Sequence, residues 1–225
     1  MSGQQPEESS RAIVVVDYGV GNLASIANML RKIGATAIIS SDPAALASAV
    51  GIILPGVGAF DHAMRKLREG DLLPALERRV LGDGISLLGL CLGAQLLSKS
   101  SAEGKESGLG WIDAVTTRFD SSKVNGRLAI PHMGWSNVTS VRAHELLASD
   151  EAESRFYFAH SYHLSCNDSE LVIGSAHYGY EFAAAVASHN VLGVQFHPEK
   201  SHTYGMRLLQ NFCNLTRVPI SATQR

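Results

Sequence analysis

The sequence is poor in cysteine, in net charge and in long apolar runs. Each shortage excludes a class of function. Cys91, Cys166 and Cys213 are the whole supply of thiols, and three cannot all pair with one another. The opening residues MSGQQPEESS have neither the basic start nor the apolar core of a secretory signal. Reduced thiols and a cytoplasmic location are therefore expected. The net charge of −2 gives no electrostatic case for nucleic acid or an anionic membrane. No apolar run approaches the ~18 residues needed to span a bilayer. Internal repeats and low-complexity segments are absent as well. What is present is a chain that can bury a core. Hydrophobic residues are 45% and charged residues 18% of 225, which excludes disorder and suits one α/β domain or two small ones.

The first half alternates two periodicities. AIVVVD (12–17), ATAIIS (35–40), VGIILP (50–55) and ISLLGL (85–90) are apolar runs of strand length. Between them, Leu23, Ile26, Ala27, Leu30 and Ile33 recur at helical spacing, with Gly34 as the stop. Asp42-Pro43 is a helix start, with Asp as N-cap and Pro at the first helical position. Helices are predicted over 60–69, 72–81 and 92–99. The pattern argues for a doubly wound, mostly parallel open sheet with flanking helices. Ligands of such sheets bind beyond the carboxyl ends of the strands. The second half opens with a polar, Gly-rich loop (100–110). Strands are predicted over 111–118, 127–130, 155–164, 171–177, 182–188 and 191–197, with few helices between, so pairing there should be antiparallel or mixed. An amphipathic helix follows over 202–215.

The sharpest chemical signal is Gly89-Leu90-Cys91-Leu92-Gly93, where a buried strand meets a helix. A nucleophile on such a turn is lifted above the sheet edge, and small neighbours let the backbone double back. A cysteine at a helix start feels the dipole, which favours the attacking thiolate. The Leu92 N–H is placed to hold an oxyanion. A buried structural cysteine is an equally common reading of this motif alone. The second signal is His197-Pro198-Glu199, closing the run VLGVQFH. A thiol nucleophile wants an imidazole to move its proton, and the imidazole wants a carboxylate to orient it. Pro198 is expected to hold the chain extended so that Glu199 leans back on the ring. The bland alternative is a packed His197 and a capping Glu199. The third is Pro55-Gly56-Val57-Gly58, whose glycine-rich backbone can aim N–H groups at a developing charge, or simply turn from strand to helix.

Two patterns compete. Gly19-Val20-Gly21-Asn22-Leu23-Ala24 matches a dinucleotide fingerprint, with Asp42 near the place of a ribose-binding acid. Asp17 and Tyr18, however, separate the apolar strand from the first glycine. His160, His163 and Cys166 resemble a metal cluster. On one continuous strand His160 and His163 would face opposite sides, and no fourth ligand stands at a convincing spacing. No metal and no cofactor are expected.

GLCLGAQLL (89–97) and GVQFHPEKS (193–201) resemble the class I, triad-type glutamine amidotransferases. DYGVGNLAS (17–25), LPGVGAFDHAM (54–64), PHMGW (131–135) and FYFAHSYH (156–163) are similar to the glutaminase subunits of imidazole glycerol phosphate synthases. The resemblance runs from about Ile13 to Asn214. It implies that Cys91 attacks the side-chain amide of glutamine, that His197 moves protons, and that Glu199 orients His197. It further implies oxyanion donors at Val57 and Leu92, and glutamine contacts at Gly58, Gln95, Ser161 and Tyr162. Asn22, Trp135 and Lys200 fall in motifs implied to meet the partner. That partner would be a separate cyclase/synthase chain, a (β/α)₈ barrel, forming a heterodimer and making imidazole glycerol phosphate and the carboxamide ribonucleotide AICAR. One amidotransferase domain over 12–217 is implied, with tails at 1–11 and 218–225. One departure is visible: Ser136 stands between Trp135 and Asn137, where the family usually reads Trp-Asn. Rival readings are a glutaminase serving anthranilate or pyridoxal phosphate synthesis, an NAD-dependent oxidoreductase built on 19–24, and a non-catalytic regulatory subunit.

Overall fold

A computed structural model describes residues 12–216, except 70, 124–127 and 150–153. The predicted tails lie outside the described residues. The first half alternates as its periodicity requires: β1 (Ile13–Val16), α1 (Leu23–Lys32), β2 (Ala37–Ser40), α2 (Pro43–Ala47), β3 (Gly51–Leu54), α3 (Phe60–Arg68), α4 (Leu72–Glu77), β4 (Leu87–Leu90) and α5 (Leu92–Leu96). β1, β3 and β4 are buried throughout, which is why their sequences do not alternate. Alternate residues of β1 feed two cores. Ile13 and Val15 pack with Ile26 and Leu30 of α1, whereas Val14 and Val16 pack with Phe60, Met64 and Leu67 of α3. The Asp42 carboxylate accepts from Ala44 N at 2.8 Å, the predicted N-cap. α4 is α-helical only to Glu77 and continues as a π turn over Arg78–Gly82. α5 stops at Leu96, short of the predicted 99.

The second half comprises β5 (Ala114–Arg118), β6 (His132–Asn137), β7 (Thr139–Ser140), β8 (Arg155–His160), β9 (Tyr162–Cys166), β10 (Val172–His177), β11 (Glu181–Ser188), β12 (Val191–Val194) and α6 (His202–Leu215). Two expectations are corrected here. Residues 128–130 form no strand, and position 127 lies outside the described residues; the strand is β6, over a stretch for which none was predicted. Its glycine and polar residues hid it, because it pairs only with β8 in a small separate sheet. The run 155–164 is two strands rather than one. The chain breaks at Ser161, and β8 joins β6 while β9 joins β5 and β11.

The main sheet has the order β2-β1-β3-β4-β12-β11-β10-β7. It is parallel from β2 to β12 and antiparallel beyond. The result is an open, mixed sheet with helices on both faces. β12 is the seam, and its register sets the site: Gly193 pairs with Gly89 and Val194 with Leu90. The segments starting at Cys91 and at Gln195 therefore leave the sheet side by side at the same end. Among the described residues no helix is long and apolar enough to cross a membrane.

Candidate active site

Cys91 sits between β4 and α5 at φ 52°, ψ −111°. A non-glycine residue rarely takes a positive φ, and this strain has to be held by its surroundings. Two glycines hold it. A Cβ on Gly89 would lie 2.8 Å from the backbone of Ala94, and one on Gly93 would collide with the Leu54 carbonyl. The turn thus needs both to be bare. The Cys91 N–H donates to Val194 O at 2.8 Å, which locks the elbow onto β12.

His197 follows three residues after β12, and its N–H donates to Tyr157 O of β8 at 2.9 Å. Its Nδ1 bonds Glu199 Oε1 at 2.9 Å, with both side chains almost completely buried. The route differs from the extended one expected. Pro198 opens a 3-10 turn over Pro198–Lys200, and the turn swings Glu199 back under the ring. With Nδ1 engaged, Nε2 is left free for the cleft that His197 shares with Cys91. Burial alone would push the imidazole pKa down. The hydrogen bonds to Cys91 and Glu199, and their negative charges, more than offset it and carry the pKa up to about 9. The imidazole is thus held toward its protonated form, with Glu199 on its Nδ1 side. The second Glu199 oxygen, Oε2, is buried with no hydrogen-bond partner among the described residues.

A cleft of about 320 Å³ opens over Cys91 and His197. Val57, Gly58, Leu92, Gln95, Ser161 and Tyr162 line it, so the predicted oxyanion and substrate residues come together. Leu92 is the first residue of α5, so its N–H has no acceptor within the helix. Val57 is exposed, between buried Gly56 and Gly58 at φ 96°. Lys200 also lines the cleft, with Nζ 5.7 Å from the Tyr157 ring centroid. Trp135 lies apart on exposed β6, stacked on His202 at 5.5 Å. Asn22 is exposed before α1 and makes no side-chain cap.

The competing patterns dissolve into structure. Asp42 is occupied as an N-cap, and Asp17 Oδ1 accepts from Gly19 N at 3.0 Å. Tyr18, which sequence reasoning passed over, is buried and donates its hydroxyl to Pro55 O at 2.6 Å, while Gly21 packs on the Pro55 ring. The glycine-rich loop at 19–21 thus supports the Val57 loop. Burial, then the nearby Cys91 charge, push the Tyr18 pKa up, so it keeps its proton. His160 and His163 do not face opposite sides. The break at Ser161 turns both toward Phe119, with ring centroids 5.2 and 4.8 Å away. Burial pushes the Cys166 thiol to about 11, helped by Asp113 and Asp168, and pushes Cys213 to about 12.

Sequence reasoning also missed a buried polar network. His160 Nδ1 meets Tyr162 O at 2.8 Å, His160 Nε2 meets His132 Nδ1 at 3.1 Å, and His132 Nε2 meets Ser136 Oγ at 2.9 Å. A carbonyl only accepts, so His160 Nδ1 carries a proton. Burial holds His160 and His132 neutral, at pKa values of about 3 and 4. Each neutral ring has one donor, so the order follows: Ser136 donates to His132, His132 to His160, and His160 to Tyr162 O. The departure at Ser136 thus supplies the outermost donor. Gln95 Nε2 donates to the same carbonyl at 2.9 Å.

The fold and this geometry fit one class. Residues 14–215 match the model of the class I glutamine amidotransferases, and the chain belongs to that family. Two solved structures share the fold: a glutamine amidotransferase (22% identity, TM-score 0.70, 91% of this chain and 99% of that one) and PurLQS from Thermotoga maritima (20%, 0.66, 91% and 98%). Closer relatives narrow the class. The chain is 46% identical to imidazole glycerol phosphate synthase subunit HisH 2 of Methanococcus maripaludis, over 89% of this chain and 98% of the relative. It is also 46% identical to subunit HisH 2 of Pseudomonas aeruginosa (90% and 99%) and 44% identical to subunit HisH of Bdellovibrio bacteriovorus (90% and 100%). Within the amidotransferases the chain is thus a member of the HisH family of imidazole glycerol phosphate synthase subunits.

Proposed function

We propose that the chain hydrolyses glutamine to glutamate and ammonia through a thioester on Cys91, and passes the ammonia to a synthase subunit in histidine biosynthesis. The Cys91 thiolate attacks the side-chain amide carbon. The oxygen that becomes negative is held by the Val57 and Leu92 N–H groups, and Gly58, Gln95, Ser161 and Tyr162 hold the amino-acid end. His197 gives its Nε2 proton to the departing ammonia. It then takes a proton from water, which attacks the thioester and releases glutamate and the thiolate. Glu199 keeps the imidazole oriented and supports its charge. The observation that carries the reading is the buried His197–Glu199 pair, 2.9 Å apart, in the same cleft as Cys91 on its strained elbow.

The partner in this reading is a (β/α)₈ synthase chain forming a heterodimer in the cytoplasm. It docks on the face bearing Asn22, Trp135 and Lys200, and the chain acts as one amidotransferase domain over 12–217. The test is glutamine hydrolysis by the chain alone, with synthase, and with synthase plus its nucleotide substrate, alongside labelling by a glutamine-analogue electrophile. The expected result is labelling of Cys91 and turnover raised by the loaded partner. Labelling of Cys166 or Cys213, with full activity in Cys91→Ala, overturns the assignment.

A further inference from the structure

The mechanism above leaves one buried polar side chain beside the reacting sulfur without a role. Gln195 is 1% exposed, and its backbone N–H is fixed to Ala184 O at 2.9 Å. Its side-chain amide lies between Gln95 Nε2, 3.1 Å from Oε1, and Cys91 Sγ, 3.7 Å from Nε2. Which end of the amide faces the sulfur follows from chemistry two steps away. The Tyr162 carbonyl can only accept, so Gln95 must present its NH₂ to it. The second N–H of that NH₂ meets Gln195, so Gln195 must answer with oxygen. Its own NH₂ then faces Cys91. The reversed amide would set two NH₂ groups against each other and an oxygen against the sulfur.

We infer that Gln195 is a further catalytic residue, whose side-chain N–H donates to the Cys91 sulfur. The inference rests on Cys91 being the nucleophile. A thiolate is a strong acceptor, whereas a thiol or thioester sulfur is a weak one. The donor therefore favours thiolate over thiol before attack. It favours the same sulfur again as the leaving group, when water cleaves the thioester. Gln195 keeps both protons throughout and exchanges none with substrate. Its position follows from the seam of the sheet, because β12 delivers residue 195 beside residue 91.

The experiment is the pH dependence of Cys91 alkylation by iodoacetamide, with glutaminase kcat and KM measured in the presence of the synthase. Wild type is compared with Gln195→Glu and Gln195→Met. Both variants remove the donor, but the carboxylate still accepts from Gln95. The alkylation midpoint should rise by about one pH unit in Gln195→Met, a roughly tenfold slower reaction below the midpoint, and further in Gln195→Glu, whose carboxylate also repels the thiolate. Gln195→Glu should lower kcat with KM little changed, while Gln195→Met should also raise KM. In the native protein, the Gln195 side-chain amide proton resonance should titrate with the Cys91 midpoint. An unmoved midpoint in Gln195→Met overturns the inference, as does a raised KM with no change in midpoint. An amide resonance that ignores the thiol overturns it however the variants fold. Native alkylation at Cys166 or Cys213 would instead remove Cys91 as nucleophile, a separate failure.

Discussion

The parallel half of the sheet and the antiparallel half build the same cleft by different means. From the parallel half come backbone groups and the one thiol, presented by loops in which chain passes against chain with no side chain between. Gly56, Gly89 and Gly93 each press on a neighbouring backbone. From the seam strand β12 and the antiparallel strands beyond it come side chains: His197, Glu199 and Gln195 after β12, together with buried imidazoles packed around Phe119. The first half is therefore intolerant of added atoms, and the second of lost hydrogen bonds. The elbow at Cys91 is strained, and the buried polar side chains opposite it are held by partners.

The largest effect should show that neither half works alone. Cys91→Ala and His197→Ala are each expected to lower glutaminase turnover by about 10⁴-fold or more, with the double variant hardly worse, because the residues act as a unit. Additive losses in steady-state assays would break the idea of a shared machine. Glu199→Gln should lose less than His197→Ala, since the carboxylate only orients and supports charge. Its signature is in pH. The His197 pKa is raised from 6.5 to about 9, so the stabilisation from its charged pairing is fully present below 6.5 and is lost as pH rises through about 9. In Glu199→Gln the alkaline limb of both activity and stability should move to lower pH.

Next in size is the contrast between crowding and vacancy. Gly93→Ala sets a Cβ against Leu54 O and should cost about 3 kcal/mol, a fall in Tm of roughly 6–12 °C. Gly58→Ala meets open space and suffers only from its φ of 96°, so about 1 kcal/mol is expected. Equal calorimetric shifts would deny that close backbone approach governs the parallel half.

These contrasts were unequally legible in the sequence. Apolar runs announced β1, β3 and β4, because strands buried on both faces have only one composition available to them. Cys91 was legible because an elbow needs small flanking residues. The antiparallel half hid more. β6 was hidden because it inverts the usual pattern, with Met133 and Trp135 exposed and the polar His132 buried. The break at Ser161 has no proline or glycine to mark it. Gln195 and Tyr18 were unreadable as parts of the site, because their roles depend on register across β4 and β12 and on the packing of one loop on another. No local pattern encodes either.

Smaller effects sharpen the antiparallel side. Burial holds His132 and His160 at about 4 and 3, below the ordinary 6.5. The unfolded chain takes up protons that the folded one refuses. Their contribution is intact above 6.5 and is lost as pH falls from there toward about 3. Urea midpoints between pH 7 and 4 should fall with acid in the native chain, and fall less in His132→Gln/His160→Gln. The smallest change expected is Ser136→Ala, which leaves His132 Nε2 without its donor. About 1 kcal/mol of stability should go, with kcat nearly unchanged.

The donor order that starts at Ser136 stops at the Tyr162 carbonyl. A chain of hydroxyl and imidazoles has the composition of a proton conductor, yet this one ends on an amide oxygen that has nothing to pass on. Charge cannot run along it into the cleft; the line is terminated. In the proposed reaction the proton work is left to His197, the cleft imidazole paired with a carboxylate. The two neutral histidines nearby belong to the packing around Phe119 rather than to a relay.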